Sequence, residues 1–170
     1  MPVNILTVSQ TEAAQIVACV IEKATGDGGL AIAVAVVDAA GRLIAFSAMD
    51  GVMPASIKLA QSKAYSAVIG SRDTSNWAAT KKNGANIDFD MRNWTDENFS
   101  GFTGGVVIRF DNRIIGGVGV SGRKGQADNT DGPLQDNELA LHGCRALTTN
   151  SATDGSMRDG LAQKLSITVS

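Results

Sequence analysis

The stretch RIIGGVGVSGRKG, from Arg113 to Gly125, decides how this 170-residue chain is interpreted. Gly117, Gly119 and Gly122 have the GxGxxG spacing of a dinucleotide-binding turn, but that turn needs an apolar helix after it. The following residues do not begin such a helix, and the GK[ST] ending of a phosphate-binding loop is absent. We therefore interpret the stretch as a β-strand with a bare glycine face, against which either a helix or a ligand lies directly.

The neighbouring segments predict that this strand belongs to a mainly antiparallel sheet. The segment GGVVIRF precedes it across a turn at residues 111–113. Earlier in the chain, two apolar strands over residues 31–38 and 42–48 flank DAAG, whose aspartate and glycine favour a tight reversal. Because hairpins rather than strand–helix–strand units dominate, the sequence predicts an α+β fold with helices packed against the sheet.

Helix signals surround these hairpins. The sequence SQTE from Ser9 to Glu12 is a capping box for a first helix, and Asp136 is the expected N-cap of a last helix over residues 136–149. Pro54 suits the first turn of a middle helix.

The inner face of this middle helix is predicted to be narrow, so that the helix lies very close to the sheet. Its small and apolar members recur at helical spacing, and they are Ile57, Ala60, Ala64, Ala67 and Val68. The polar residues of the same helix are predicted to lie off this face, and they are Lys58, Gln61, Ser62 and Lys63.

Composition limits the classes of function. The chain is 44% hydrophobic and has a net charge of −2. These values predict one domain over residues 1–170 that does not bind nucleic acid. Residues 151–170 are expected to form a C-terminal arm or an added strand. No signal peptide is visible, and the longest apolar run, about eight residues, is too short to span a bilayer, so we expect a cytoplasmic protein. Cys19 and Cys144 are expected to be buried free thiols. Two cysteines and one histidine form no structural zinc site, although carboxylate sites stay open.

Several polar residues are candidates for ligand binding. Ser121, Gly122 and Arg123 end the glycine strand and offer amides and a cation to an anion. Lys63 is either solvated or paired with Asp50 or with a substrate carboxylate. Arg72 either clamps an acid or caps the helix before it.

Two residues are candidates for acid–base catalysis. His142 is the only histidine, and it shares a polar helix face with Glu138 and Arg145, so a solvated or subunit-contact role competes with one as ligand or general base. Asp50 is either a turn-forming residue or a functional loop residue.

Residues 71–102 are polar and lack a clean period, apart from a short helix expected near residues 74–82. The aromatic residues of this part either line a planar ligand or pack the loop onto the core, and they are Trp77, Trp94, Phe99 and Phe102. The acidic residues lack calcium-loop spacing and are expected to form a solvated face, and they are Asp88, Asp90, Asp96 and Glu97.

Three motifs in order, IAVAVVDAAGRLIAFSAMDG, SIKLAQSKAYSA and IIGGVGVSG, followed by Asp136, resemble the GlcG/HbpS family, which is described as haem-degrading or haem-binding and includes the PduO C-terminal domain. The resemblance covers residues 10–148. It implies a profilin-like fold with a five-stranded antiparallel sheet, homo-oligomers, and small-ligand sites near subunit contacts. Ala48 replaces an arginine that is usual in the family, the third strand lacks a usual proline, and both the loop over 122–135 and the tail look additional.

Three functions stay open at this point. The first is a small-ligand-binding protein whose ligand is haem or another planar anion. Its axial candidates are Tyr65, Met49, Met53 and His142. The second is a cofactor-free lyase or isomerase acting on a small carboxylic acid, with Asp50 or His142 moving the proton. The third is a structural oligomer without a ligand.

Overall fold

The structure, a computed structural model, describes residues 5–77, 96–123 and 132–150, with side chains to residue 147. In chain order its elements are α1 (Gln10–Gly26), β1 (Ala33–Asp38), β2 (Leu43–Ala48), α2 (Pro54–Ile69), β3 (Gly105–Phe110), β4 (Arg113–Ser121) and α3 (Asp136–Asn150). The four strands form one antiparallel sheet in the order β2-β1-β4-β3. The predicted α+β class is confirmed.

The expectation of five strands is wrong for the described residues, which contain four. At the β3 edge, side chains take the place of a further strand. The amide of Gly105 donates to Thr74 Oγ1 at 2.8 Å, and the amide of Val107 donates to Asp73 Oδ1 at 2.9 Å. These bonds satisfy backbone donors that an edge strand otherwise leaves unpaired. The likeness to profilin stays a prediction.

The helices lie on both faces of the sheet. Helices α1 and α3 cover one face and form the larger core, which includes Ile16, Val34, Val118 and Leu139. Helix α2 covers the other face over β1, β3 and β4, and its core is built from smaller side chains. Since β1 is buried on both faces, its continuous run of apolar residues follows from its central position.

Helix α2, rather than a ligand, covers the bare face of β4. A Cβ placed on Gly119 would lie 2.1 Å from the carbonyl oxygen of Ala60, and one on Gly117 would lie 2.8 Å from that of Ala64. Backbone therefore meets backbone here, and the prediction that small residues bring α2 very close to the sheet is confirmed. The alternative that a ligand lies directly against the glycine face is wrong, because this helix fills the space.

The predicted inner face of α2 needs two corrections. Ile57 is 38% exposed, whereas Lys63, which was expected to lie off this face, is 2% exposed. The close approach at Ala60 and Ala64 leaves no room for a large side chain beneath the helix. Lys63 therefore extends along the sheet to its end, and Ile57 points away from the core.

Local signals decide most element boundaries. The capping box is present, with Glu12 accepting from the amide of Ser9 and the Ser9 hydroxyl accepting from the amide of Glu12. The β3–β4 hairpin turns at Asp111 and Asn112, whose φ angles of 47° and 60° suit a tight hairpin turn. Helix α3 begins at Asp136 itself, so the predicted N-cap role is wrong; its carboxylate bonds elsewhere.

Both cysteines are free, and burial raises the pKa of the Cys144 thiol to about 12. No helix within the described residues is long and apolar enough to cross a bilayer. Several predictions lie outside the described residues: most of the helix near 74–82, most of the loop 122–135, the tail 151–170, and the side chains of Asp88, Asp90 and Trp94.

Candidate functional site

Arg123 lies at the end of the sheet where β4 ends, with only 2% of its side chain exposed. Its guanidinium donates to both carboxylate oxygens of Asp27, at 2.7 and 2.8 Å. The other donors reach the carbonyls of Ala24, Leu30 and Leu134 at 2.6 to 3.1 Å. All five guanidinium donors are therefore used inside the fold, and the predicted anion-binding residue holds α1 to the loop before α3.

Burial alone would raise the pKa of Asp27, but hydrogen bonds from Arg123 and from the amides of Gly29 and Leu134 outweigh it and lower that pKa. The carboxylate therefore stays charged beside the guanidinium, in the paired form that a buried charge needs.

Lys63 forms a second buried ion pair at the same end of the sheet. Its Nζ atom is 2.7 Å from Asp136 Oδ2 and donates to the Val120 carbonyl at 2.9 Å. The other oxygen of Asp136 accepts the amide of Arg123 at 2.9 Å. Burial lowers the pKa of Lys63 and raises that of Asp136, while their mutual attraction opposes both changes. The partner is Asp136 and not Asp50, because the short helix-to-sheet distance directs this lysine to the strand end.

Ser121 and Gly122 belong to the packing of this end. Ser121 is buried and lies opposite Ala33 in the sheet. Gly122 has φ 145°, and a Cβ there would lie 2.3 Å from the carbonyl oxygen of Ala31. Both residues therefore position backbone, and their predicted contact with a ligand stays untested.

Arg72 stacks on an aromatic ring. Its guanidinium carbon lies 3.6 Å from the centre of the Trp77 ring, and Trp77 meets Phe99 edge to face with centroids 5.7 Å apart. Trp77 is buried, so for this residue packing of the polar segment onto the core is the role the structure shows. Phe102 is 68% exposed.

The structure places the two catalytic candidates, Asp50 and His142, on different elements. Asp50 is exposed in the turn after β2. His142 is half-buried on α3 beside α1; burial and then the charges of Lys23 and Arg145 lower its pKa. Arg72 follows α2 on the opposite face of the sheet, so it shares no site with this histidine.

An open cavity of about 210 Å³ lies between α2 and the β1–β2 hairpin. Its polar lining comes from one flank of α2 and from the segment after it, and its apolar lining comes from the hairpin. The lining residues are Val37, Gly41, Leu43, Lys58, Gln61, Ser62, Tyr65 and Asn98. Sequence reasoning missed this site, although Lys58, Gln61, Ser62 and Tyr65 share the i, i+3, i+4, i+7 spacing of one helix flank.

The segment over residues 96–98 forms a wall of this cavity through two contacts with α2. Lys58 Nζ donates to Asn98 Oδ1 at 3.0 Å, and the Tyr65 hydroxyl donates to Asp96 Oδ2 at 2.5 Å. The second contact raises the pKa of Tyr65, so the hydroxyl keeps its proton. Tyr65 is therefore poorly suited to bind a metal as phenolate.

Apolar side chains surround the cavity because α2 leaves the β2 edge of the sheet uncovered. On β2, Leu43 is 48% exposed and Phe46 is 37% exposed. Ile57 and Ile69 are exposed on the facing flank of the helix. Small-molecule sites are concave and combine apolar side chains with a few polar groups that orient the ligand. Here the polar groups line the cavity and further apolar side chains lie around it as a rim. We call the cavity and this rim the α2–β2 face.

The comparisons with known proteins agree on one family. The family model for haem-degrading HbpS-like proteins matches residues 8–130, which span α1 to β4. Protein GlcG of Escherichia coli K12 is 34% identical over 113 residues, covering 66% of this chain and 80% of GlcG.

Solved structures share the fold. Klebsiella pneumoniae protein ORFY superimposes with a TM-score of 0.75 at 25% identity, covering 86% of this chain and 94% of that one. The PduOC:heme complex gives 0.69 at 24% identity, covering 83% and 95%. A Streptomyces reticuli HbpS double mutant gives 0.69 at 23% identity, covering 86% and 90%.

Proposed function

This chain belongs to the family of haem-degrading HbpS-like proteins, and from that membership we propose that it binds a small planar anion, haem or a related molecule, at the α2–β2 face. The observation that carries the proposal is the open cavity of about 210 Å³, with polar groups inside and apolar groups at its rim. The buried cations Lys63 and Arg123 at the other end of the sheet are already paired, whereas this face offers the exposed cation Lys58.

The described part of one chain does not enclose haem. The cavity is smaller than the roughly 300–1,000 Å³ of pockets that bury a drug-sized ligand. None of the described axial candidates lies in an apolar pocket: Tyr65 bonds to Asp96, Met53 is 65% exposed, and His142 lies against α1. Met49 packs against the α1/α3 core. A large planar ligand would therefore lie across the face rather than inside it.

A second copy of the chain is the natural cover for such a ligand. Strand β2 is an edge strand, and its exposed side chains Leu43 and Phe46 continue into the exposed residues of α2. Edge strands with apolar side chains favour pairing with another chain. We therefore propose a homo-oligomer in which the ligand lies next to a subunit contact.

The experiment is a spectrophotometric titration of the purified chain with hemin. We expect a saturable shift of the Soret band at about one equivalent per chain or per dimer. Leu43→Asp should abolish saturation, because it places a charge on the apolar rim. Leu30→Asp is the matched control, since Leu30 is 72% exposed and lies next to Arg123, away from the rim.

Two results would contradict this proposal. One is a flat, nonspecific response of the parent chain, and the other is equal loss of binding in both leucine variants. Light scattering on the same samples reports the subunit number, which separates loss of ligand from loss of assembly.

A further inference from the structure

We infer that the cavity is a carboxylate subsite, in which Lys58 binds the carboxylate while Val37 and Leu43 contact an apolar body. The inference rests on the proposed function, because it names the chemical class of ligand that the α2–β2 face takes. It goes beyond the proposed function because it assigns Lys58 to the carboxylate of the ligand.

The described residues of the lining supply hydrogen-bond donors and no carboxylate. A lysine, two amide side chains and one hydroxyl can donate to a ligand, and they come from Lys58, Gln61, Asn98 and Ser62. The Tyr65 hydroxyl also lines the cavity but donates its proton to Asp96. Ammonium and amide N–H groups bind a carboxylate with short, charge-assisted hydrogen bonds. A cationic ligand would meet the ammonium group without a compensating charge in the lining, so an anion is the better match.

Lys58 is also a cation whose described contact leaves its charge unpaired by a carboxylate. Lys63, Arg123 and Arg42 each pair with a carboxylate. Lys58, in contrast, donates to the neutral amide of Asn98. An incoming carboxylate can therefore replace or share this bond without breaking an ion pair.

The carboxylate of Asp96, which bonds to the cavity residue Tyr65, is already engaged. Asp96 accepts the Tyr65 hydroxyl at 2.5 Å and the amide of Asn98 at 2.9 Å, and it is not among the residues that line the cavity. These two donors neutralise part of its field. Its contact with Tyr65 also fixes the aromatic ring as one wall of the cavity.

Size limits what enters the cavity. A volume of about 210 Å³ suits a single ring or a short chain that carries one carboxylate. Two sources supply the same chemistry: a free small acid, or a propionate group of a haem that lies across the rim.

The experiment is an amide-resolved NMR titration of the full chain with benzoate, with benzamide as the uncharged analogue. We expect benzoate, and not benzamide, to shift the amides of Gly41, Leu43 and Asn98. Lys58→Met should weaken benzoate binding at least about tenfold, which is the loss expected for a charged hydrogen bond. Lys23→Met is the matched control, because Lys23 is exposed on α1 across the sheet.

A hemin titration of the parent chain and of Lys58→Met separates the two sources. If benzoate displaces hemin, or if Lys58→Met weakens hemin binding while Lys23→Met does not, the haem propionate occupies the subsite. If benzoate binds through Lys58 and hemin does not bind, the subsite binds free carboxylic acids. In that case the proposal that the protein binds haem is wrong.

The inference is overturned if benzoate and benzamide bind alike, or if Lys58→Met binds benzoate as the parent does. It is also overturned if benzoate does not bind and hemin binds equally to the parent and to Lys58→Met, which leaves the proposed function intact. Absence of binding by both probes discards the subsite and the proposed function together.

Discussion

The two flanks of helix α2 carry the same kind of side chain in opposite situations. Lys63 is 2% exposed and lies 2.7 Å from Asp136, in contact with the sheet. Lys58, five positions earlier, is exposed and lines an open cavity. Since both residues are lysines, the neighbouring strands decide their difference in burial. Strands β3 and β4 cover one flank of the helix, and β2 leaves the other flank uncovered.

The covered flank of α2 therefore stabilises the fold, and the open flank is the one proposed to bind a ligand. On the covered flank, Lys63 has a charged partner, and Gly105, Gly117 and Gly119 have backbone neighbours that exclude a side chain. On the open flank, Lys58 bonds to the neutral amide of Asn98, and Tyr65 bonds to Asp96. Substitutions on the covered flank should therefore change stability, and those on the open flank should change binding.

The largest expected effect comes from Lys63→Met, which leaves Asp136 buried without its partner. We expect the free energy of unfolding to fall by about 3–5 kcal/mol, because an unpaired buried charge is costly. Urea denaturation measures it. The double variant Lys63→Met/Asp136→Asn should recover more than half of the loss, and a loss that the second substitution does not reduce would contradict the ion-pair explanation.

Gly119→Ala tests the close contact between α2 and β4. Its Cβ would lie 2.1 Å from the carbonyl oxygen of Ala60, so helix and sheet must separate. We expect a loss of about 3 kcal/mol, at the upper end for overpacking. Gly26→Ala is the control, since a Cβ there has no neighbour within 4 Å. Equal stability of the two variants in urea would show that the contact is looser than described.

A moderate effect with a defined pH dependence is expected for Asp27→Asn. The variant should lose about 1.5–3 kcal/mol at neutral pH, the range for a hydrogen bond to a charged group. The folded chain holds the pKa of Asp27 below its unfolded value, so its contribution is complete above the unfolded pKa and disappears as the pH falls through the folded one.

The stability gap between the parent and Asp27→Asn should therefore narrow on acidification. Unfolding free energies measured from pH 7 downwards test this prediction. A gap that widens towards acid would mean that burial, and not the contact with Arg123, dominates the titration of Asp27.

The smallest effect on stability is expected for Lys58→Met, the same substitution as the first but on the open flank. We expect a change within about 0.5 kcal/mol, as for exposed positions in general. Urea denaturation beside Lys63→Met gives the most direct comparison of the two flanks. A loss of similar size in both variants would show that Lys58 is also a structural residue.

The sequence by itself determined the local elements and the class of the fold. The capping box at Ser9–Glu12, the hairpin turns and the first turn at Pro54 depend on bonds between residues close in the chain, and the structure contains them. Alternation of glycine in β4 and of alanine in α2 also predicted their close contact, because small residues are needed wherever backbones meet. Motifs in order were enough to indicate the family.

Only the tertiary structure decided which polar residues are free to bind. The pairs Lys63–Asp136 and Arg123–Asp27 join residues that are 73 and 96 positions apart. The sequence does not distinguish an exposed lysine from a buried one, because burial depends on which strand lies beside the helix. For the same reason the cavity at Lys58, formed by α2, a hairpin and residue 98, became visible only when the sheet order placed β2 at an uncovered edge.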